Sequence, residues 1–447
     1  MPLHNYQKRA ARFLYKRPRS GLFADPGAGK TLTALAILHR LRRDSGRLRT
    51  LIIAPLRVCR YVWPAEIEKF GFSFTTHFLH GRDKKTSHTG ADVELVNPEG
   101  LKWLTEHRKP EYDVLIVDES SQFKNGRSVR FKLLKPWLSQ IPRIHILTGT
   151  PTPRSMLDLW SQIYLLDQGK TLGKFITHYR RRWFYENRFK NFSQWEIREG
   201  AEQDIWERIA PLVYRVDAEI DLPELVENPI SIELPANARK IYDDMWKKLA
   251  AEIDGEMTLT PSAATKYQMC CQIAGGTVYR DDGSTTEIHK AKLEALKELV
   301  SELHGKPLLI GFKYRHEGER FKKIFKNAVI MGSTDRKTTD KLLKGWNTGQ
   351  LPVLCAQAQT ISHGLNLQAG GCNDVCWYSL TDDYDRFEQF NRRVYRQGLK
   401  GSHCRIHYLQ ARGTVDMLIL RRLKDRHLRQ QSLFEFLRDY ARTEEQR

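Results

Sequence analysis

At 447 residues the chain is long enough for two or three ordinary domains with ample cores, and its 73 Lys and Arg against 53 Asp and Glu leave a net charge of +20. That excess, with aromatic residues interleaved among the bases, points to a polyanionic partner, nucleic acid first. No run of eighteen apolar residues suggests a membrane span, the first residues lack the apolar core of a secretory leader, and seven cysteines without a CxxC pair argue against a zinc ribbon or a disulfide framework.

In chain order, Gln7 comes first in Leu3-His4-Asn5-Tyr6-Gln7, where a glutamine amide offers both a donor and an acceptor to an adenine edge. The apolar run Gly21–Ala24 then leads into Asp25-Pro26-Gly27-Ala28-Gly29-Lys30-Thr31 and an apolar-periodic stretch. Strand, glycine-rich turn and helix are the context of a phosphate-binding P-loop. Gly27 and Gly29 let the backbone approach a phosphate, and the free N–H groups of the helix start face it. Lys30 is expected to reach the β/γ-phosphates, and the Thr31 hydroxyl to ligate Mg²⁺. Asp25, Gly27, Ala28, Gly29, Lys30 and Thr31 are therefore the candidate contacts of a nucleoside triphosphate. Ala24 stands where the pattern GxxxxGK[ST] has its first glycine.

Short apolar runs follow at the spacing of an α/β sheet: Leu51–Ala54, Val93–Val96, Val114–Val117 and Ile144–Leu147. Each is too short for a helix and ends in polar residues with Gly or Pro nearby, as parallel strands with function at their C-terminal ends do. Asp118-Glu119-Ser120-Ser121 follows one of them and reads as a Walker B site. Asp118 would hold Mg²⁺ through water and Glu119 would polarise the attacking water. Thr148-Gly149-Thr150-Pro151 ends the next run, where a hydroxyl is placed to sense Glu119 or the γ-phosphate.

From about Met156 to Pro223 the texture turns helical, aromatic and basic, densest at Thr177–Tyr185. Two readings stand: a protrusion whose arginines touch phosphates, or a helical hairpin with aromatics inward and arginines solvated. Leu222 to Pro235 reads as a linker with three prolines. Beyond it, helices are expected over Ala238–Ile253 and Lys290–His304, with strands at Leu308–Ile310, Ala328–Ile330, Pro352–Cys355, Val375–Tyr378 and Arg405–Leu409. Asp281–Ser284 reads as a turn, and Cys372 and Cys376 as core thiols. Gln389 opens Gln389-Phe390-Asn391-Arg392-Arg393-Val394-Tyr395-Arg396-Gln397-Gly398. A helix there would set Arg393 and Arg396 on one face, either as fingers toward a phosphate or as a basic surface.

Taken together, YQ, GAGKT, IIAPLRV, DESSxxKN, LTGTP, SHGLNLQ and QxxxRxxRxG resemble helicase superfamily 2, and within it the Swi/Snf-type family of helicase-like DNA translocases. The resemblance covers nearly the whole chain. Ser120-Ser121 in place of Ala-His, Arg154 in place of Asn, the Gly311–Tyr314 version of motif IV and Leu399 in place of Gln depart from the family pattern.

The resemblance implies an α/β fold of two tandem RecA-like lobes with a helical protrusion between them: 1–155, 156–228 and 229–447. It implies that ATP and Mg²⁺ bind to Lys30, Thr31, Asp118 and Glu119 of the first lobe, with Gln389, Arg393, Arg396 and Gly364 supplied by the second. It further implies duplex DNA tracked along its phosphates, with candidate contacts at Pro55-Leu56-Arg57 and Ser362-His363-Gly364. A monomer in a reducing intracellular compartment is expected: cytoplasm or nucleoid, or a eukaryotic nucleus. Two rivals share every ATPase motif, a strand-separating DNA or RNA helicase and a nucleic-acid-dependent clamp that does not move.

Overall fold

The computed structural model describes residues 3–425 apart from 26, 82–89, 150, 153–154, 188–193, 217–222, 256–260, 326–327, 362–366, 368–369, 397–398 and 400. The chain divides at residue 220 into two compact units, each built on its own parallel sheet.

The first unit carries β1 (Arg19–Phe23), β2 (Thr50–Ile53), β3 (Thr76–Phe78), β4 (Val93–Val96), β5 (Val114–Asp118) and β6 (Arg143–Thr148). The hairpin β7 (Phe184–Asn187) and β8 (Gln194–Ile197) and the short β9 (Val213–Arg215) follow. The sheet runs β3-β4-β2-β5-β6-β1-β9 and is parallel throughout. Every residue of β2, β4 and β5 is buried, which is why they read as continuous apolar runs and not as alternation. A parallel sheet needs a crossover between neighbours, so loops gather at its two ends and the polar strand-end residues come together at one of them.

The helix Ile176–Trp183 decides how the aromatic stretch packs. Tyr179, Trp183 and Phe184 sit in the same apolar cluster as Leu159, Ile163 and Ile205, while Arg181 and Arg182 face solvent. Arg180 lies 5.4 Å from the Trp195 ring centre. Tyr179, Trp183 and Phe184 are therefore inward while Phe175 and Tyr185 on either side are exposed, and described residues between Leu159 and Ile209 contribute to the first unit's core.

The second unit holds β10 (Glu224–Ile232), the hairpin β11 (Thr277–Tyr279) and β12 (Thr285–Glu287), β13 (Leu308–Phe312), β14 (Val329–Ile330), β15 (Val353–Gln357), β16 (Asp374–Trp377) and β17 (His403–Ala411). Its six-stranded sheet runs β10-β17-β16-β13-β15-β14, also parallel. Here the expected linker is corrected: Glu224–Ile232 is a nine-residue strand, paired along its length with β17. It lies at the sheet edge, the position that tolerates Pro229 because an outward N–H is not needed there. Exposed polar side chains hide the apolar signal such a strand would otherwise give. The expected turn at Asp281–Ser284 closes the β11–β12 hairpin. All seven cysteines are buried and unpaired, Cys372 and Cys376 among them. Among the described residues no helix is long and apolar enough to cross a membrane.

Candidate nucleotide site

β1 ends at Phe23, and the next N–H, of Ala24, donates to Thr148 O at 3.1 Å. The loop therefore leaves the sheet beside the end of β6. Gly27 and Gly29 have φ of 93° and 70°, the left-handed region that glycine enters without a Cβ clash. Gly29 is needed for a second reason. A Cβ there would lie 2.2 Å from Gln7 Nε2. The helix Lys30–Ser45 starts at that glycine, so its first N–H groups open toward the loop.

Gln7, on the helix Asn5–Lys16, is buried against this loop. Its Nε2 donates to Ala28 O at 3.3 Å and its Oε1 accepts the His4 N–H at 2.9 Å. The side chain thus braces the loop backbone. Lys30 Nζ donates to the carbonyls of Ala24 (2.7 Å) and Asp25 (3.3 Å), which hold the ammonium across the loop. Thr31 follows, half-buried, in the first turn of the helix.

β5 is separated from β1 by β6 and delivers Asp118 to the same end of the sheet. The carboxylate is buried; Oδ1 accepts the Glu119 N–H at 3.1 Å and Oδ2 accepts the indole N–H of Trp63 at 3.0 Å. Burial first, and the neighbouring Glu119 second, push its pKa up to about 7, against the pull of Lys30 and the Trp63 hydrogen bond. Lys30 is therefore close enough for its charge to act on Asp118. Glu119 has φ 58° and ψ 56°, a left-handed conformation that costs a non-glycine residue about 1–2 kcal/mol. Its Oε2 is buried without a hydrogen-bond partner. Backbone strain and an unsatisfied carboxylate oxygen at one residue mark a site built for a guest.

Trp63 escapes sequence reading. A tryptophan ahead of Pro64 marks a helix start, and the helix does begin there, but nothing local shows that the ring reaches a carboxylate 55 positions away.

The donor set fits Mg²⁺. The Thr31 hydroxyl and Asp118 carboxylate are hard oxygen ligands, and the orphaned Glu119 oxygen is placed to accept from a bound water. Among the described residues no group of three or more His, Cys, Asp or Glu could hold a metal unaided. A cation here would share its coordination with phosphate oxygens, as Mg²⁺ commonly does.

In the second unit, Gln389 is buried on the helix Tyr384–Asn391, and its Oε1 has no partner. The helix expected to carry both arginines stops at Asn391. The chain continues in turns closed by Arg393 N–Phe390 O and Val394 N–Asn391 O bonds. The expected placement of Arg393 and Arg396 on one helical face is therefore corrected, since the helix ends before both. Arg393 Nε donates to Gln389 O at 3.0 Å, and Trp377 Nε1 holds Asn391 Oδ1 at 2.9 Å. Gly364, Ser362, His363, Thr150 and Arg154 lie outside the described residues.

Two parallel-sheet α/β units, the first with a glycine-rich loop opening a helix and an Asp-Glu pair ending the next strand but one, define the class of fold. The model of the SNF2-related domain matches residues 6–273, and the chain belongs to that family. It is 32% identical to "Putative protein p41" of Acyrthosiphon pisum secondary endosymbiont phage 1, over 97% of this chain and 98% of that protein. It is 26% identical to the human DNA annealing helicase and endonuclease ZRANB3, over 93% of this chain and 39% of the relative. Helicase SWR1 of Mycosarcoma maydis is 28% identical over 53% of this chain and 14% of the relative. The chain thus spans nearly all of the phage protein and well under half of the eukaryotic ones. Among solved structures, the Sulfolobus solfataricus SWI2/SNF2 ATPase core in complex with dsDNA aligns over 100% of this chain and 96% of that one, with 20% identity and a TM-score of 0.46.

Proposed function

We propose that the chain is an ATP-dependent DNA motor, a DNA-dependent ATP hydrolase that moves along duplex DNA. The observation that carries the reading is the convergence of Lys30, Asp118 and the strained Glu119 at one end of a parallel sheet beside a P-loop. Membership of the SNF2-related family and the +20 charge support the DNA partner.

In this reading the loop N–H groups and Lys30 bind the phosphates, and Gln7 holds the loop and offers its remaining amide N–H toward an adenine. Thr31 and Asp118 would hold Mg²⁺, which would supply charge neutralisation for the bound phosphates. Glu119 orients the attacking water and takes its proton on the unpartnered oxygen. Arg393 and Arg396 stabilise charge on the transferred phosphoryl group when the second unit closes on the first. Gln389 keeps the Arg393 side chain in place through its backbone carbonyl. Phosphates of the duplex run over Pro55–Arg57 and the 362–364 segment, contacted without base reading.

Steady-state hydrolysis measured with duplex DNA, single-stranded DNA and RNA tests this. Duplex DNA should stimulate most. Equal stimulation by RNA, or none by any polymer, would replace the motor with another P-loop function. Displacement of a third strand from a triplex then separates a motor from a clamp, and a forked duplex separates a motor from an unwinder.

A further inference from the structure

Ser120 follows Glu119 directly and begins the single turn Ser120–Phe123. It is completely buried, and its hydroxyl donates to Gln162 Oε1 at 2.8 Å. Gln162 is also completely buried, on the helix Leu159–Asp167, whose other residues are buried with it and largely apolar. Its amide donates to Pro151 O at 2.7 Å and to Asp158 O at 2.8 Å. A leucine would suit this helix as well on hydrophobic grounds, so the glutamine is there for its three hydrogen bonds. The bond to Ser120 is fully buried and the two to the carbonyls are partly so, and a buried partner left unpaired is expensive.

The two ends of the bridge are significant. Ser120 is bonded through the chain to Glu119, and Pro151 lies shortly after β6, the strand between β5 and β1. One rigid amide thus spans the loop presenting the water-orienting carboxylate and the turn beside the P-loop. Ser120 and Gln162 also need each other. Without the serine hydroxyl the amide oxygen loses its donor, and without the amide the hydroxyl loses its acceptor.

We propose that Gln162 is a positioning residue that couples these two segments, so that a nucleotide-driven shift of the Glu119 loop is carried into the turn at Pro151. The proposal rests on the ATP-hydrolysis reading only for its kinetic consequence. The bridge itself is tested by nucleotide binding.

The variants are Gln162→Leu, Ser120→Ala and the double variant. Amide hydrogen exchange over 119–123 and 148–158 is followed with and without an Mg²⁺–ATP analogue, alongside turnover, analogue affinity and thermal unfolding. In the native chain the analogue should alter exchange in both segments. In Gln162→Leu the 119–123 response should persist and the 148–158 response should vanish, with analogue affinity kept within about threefold while turnover falls about ten- to a hundredfold, as loss of positioning without loss of binding predicts. Ser120→Ala, which removes one arm and leaves almost no cavity, should show the same uncoupling more weakly. The double variant should be no worse than Gln162→Leu, since both break one connection.

Retained responses in both segments of either variant overturn the proposal, as does turnover that falls only in proportion to folded fraction. Should Gln162→Leu fail to fold, Ser120→Ala decides by the same exchange criterion. A native chain that binds the analogue and shows coupled exchange yet hydrolyses nothing would sink the hydrolase reading while leaving the bridge standing.

Discussion

Three acids of the second unit and two of the first are met in different ways. In the second unit Lys292 Nζ meets Asp416 Oδ2 at 2.6 Å, Lys313 Nζ meets Asp382 Oδ2 at 2.7 Å, and Asp374 takes Arg405 and His407 at 2.7 and 2.9 Å. In the first unit, Asp118 accepts from two neutral donors, and among the described residues Glu119 Oε2 has none. At these positions the second unit meets carboxylates with cations, and the first meets Asp118 with neutral N–H groups. Selection for binding and chemistry holds such groups in unfavourable surroundings at a cost in stability.

The largest expected effect belongs to Arg396, a second-unit residue assigned to chemistry and not to an ion pair of the fold. The proposed finger role predicts that Arg396→Ala loses about 10³–10⁵ of DNA-stimulated turnover, or about 4–7 kcal/mol of barrier, with ATP and DNA affinity little changed. A solvated arginine would matter by only about 0–1 kcal/mol. Steady-state hydrolysis at saturating duplex, with DNA affinity from anisotropy, separates the two. Turnover within tenfold of native beside collapsed DNA affinity would move the arginine to the DNA track.

Next is the pair Glu119→Gln and Lys30→Ala. Glu119→Gln should cost about 10²–10⁴ in turnover, the usual worth of a general base, and should keep ATP because no phosphate contact is lost. Lys30→Ala should abolish turnover and weaken nucleotide binding as well. A fluorescent ATP analogue distinguishes them. Equal loss of affinity in both would exchange the roles assigned here.

The Lys292–Asp416 pair of the second unit answers in stability and not in chemistry. Lys292→Met leaves Asp416 buried without its cation, a situation that costs about 3–5 kcal/mol. Urea unfolding should show that loss, while the nucleotide affinity of the folded fraction stays native. An unchanged unfolding midpoint would mean that this pair contributes nothing net and that the contrast between the sheets is one of geometry alone.

Much of this was legible beforehand because parallel strands announce themselves as uninterrupted apolar runs, and because the chemistry follows them directly in sequence. Asp25–Thr31 and Asp118–Glu119 could be placed on strand ends from spacing alone. What escaped depends on contacts distant in sequence. β10 is solvated at a sheet edge and carries a proline, so it looks like a linker until β17 lies beside it. Trp63 and Gln162 carry no local mark of their partners, which lie 55 and 42 positions away. The helix expected through Arg393 and Arg396 ends at Asn391 because sequence periodicity does not show where mixed turn bonds replace the regular helix.

The smallest expected effect is also the most direct measure of what the first unit gives up. Burial raises the Asp118 pKa to about 7, above the unfolded value of 3.8. Between those two pH values the unfolded chain has released this proton and the folded chain has kept it. Ionisation therefore penalises the fold progressively as pH rises through the window, and the whole penalty is present above about pH 7. A shift of one unit is worth about 1.4 kcal/mol, so a gap of about three units sets a ceiling near 4 kcal/mol. Asp118→Asn keeps an oxygen for the Trp63 N–H and removes the charge. It should abolish hydrolysis yet stabilise the ligand-free chain, with a gain that grows by about 2–3 kcal/mol between pH 5 and pH 8. Denaturant unfolding of both proteins at the two pH values measures this. A gain that is flat with pH would show that Asp118 is already ionised at pH 5, held so by Lys30 and Trp63. The first sheet would then have satisfied its charges as fully as the second.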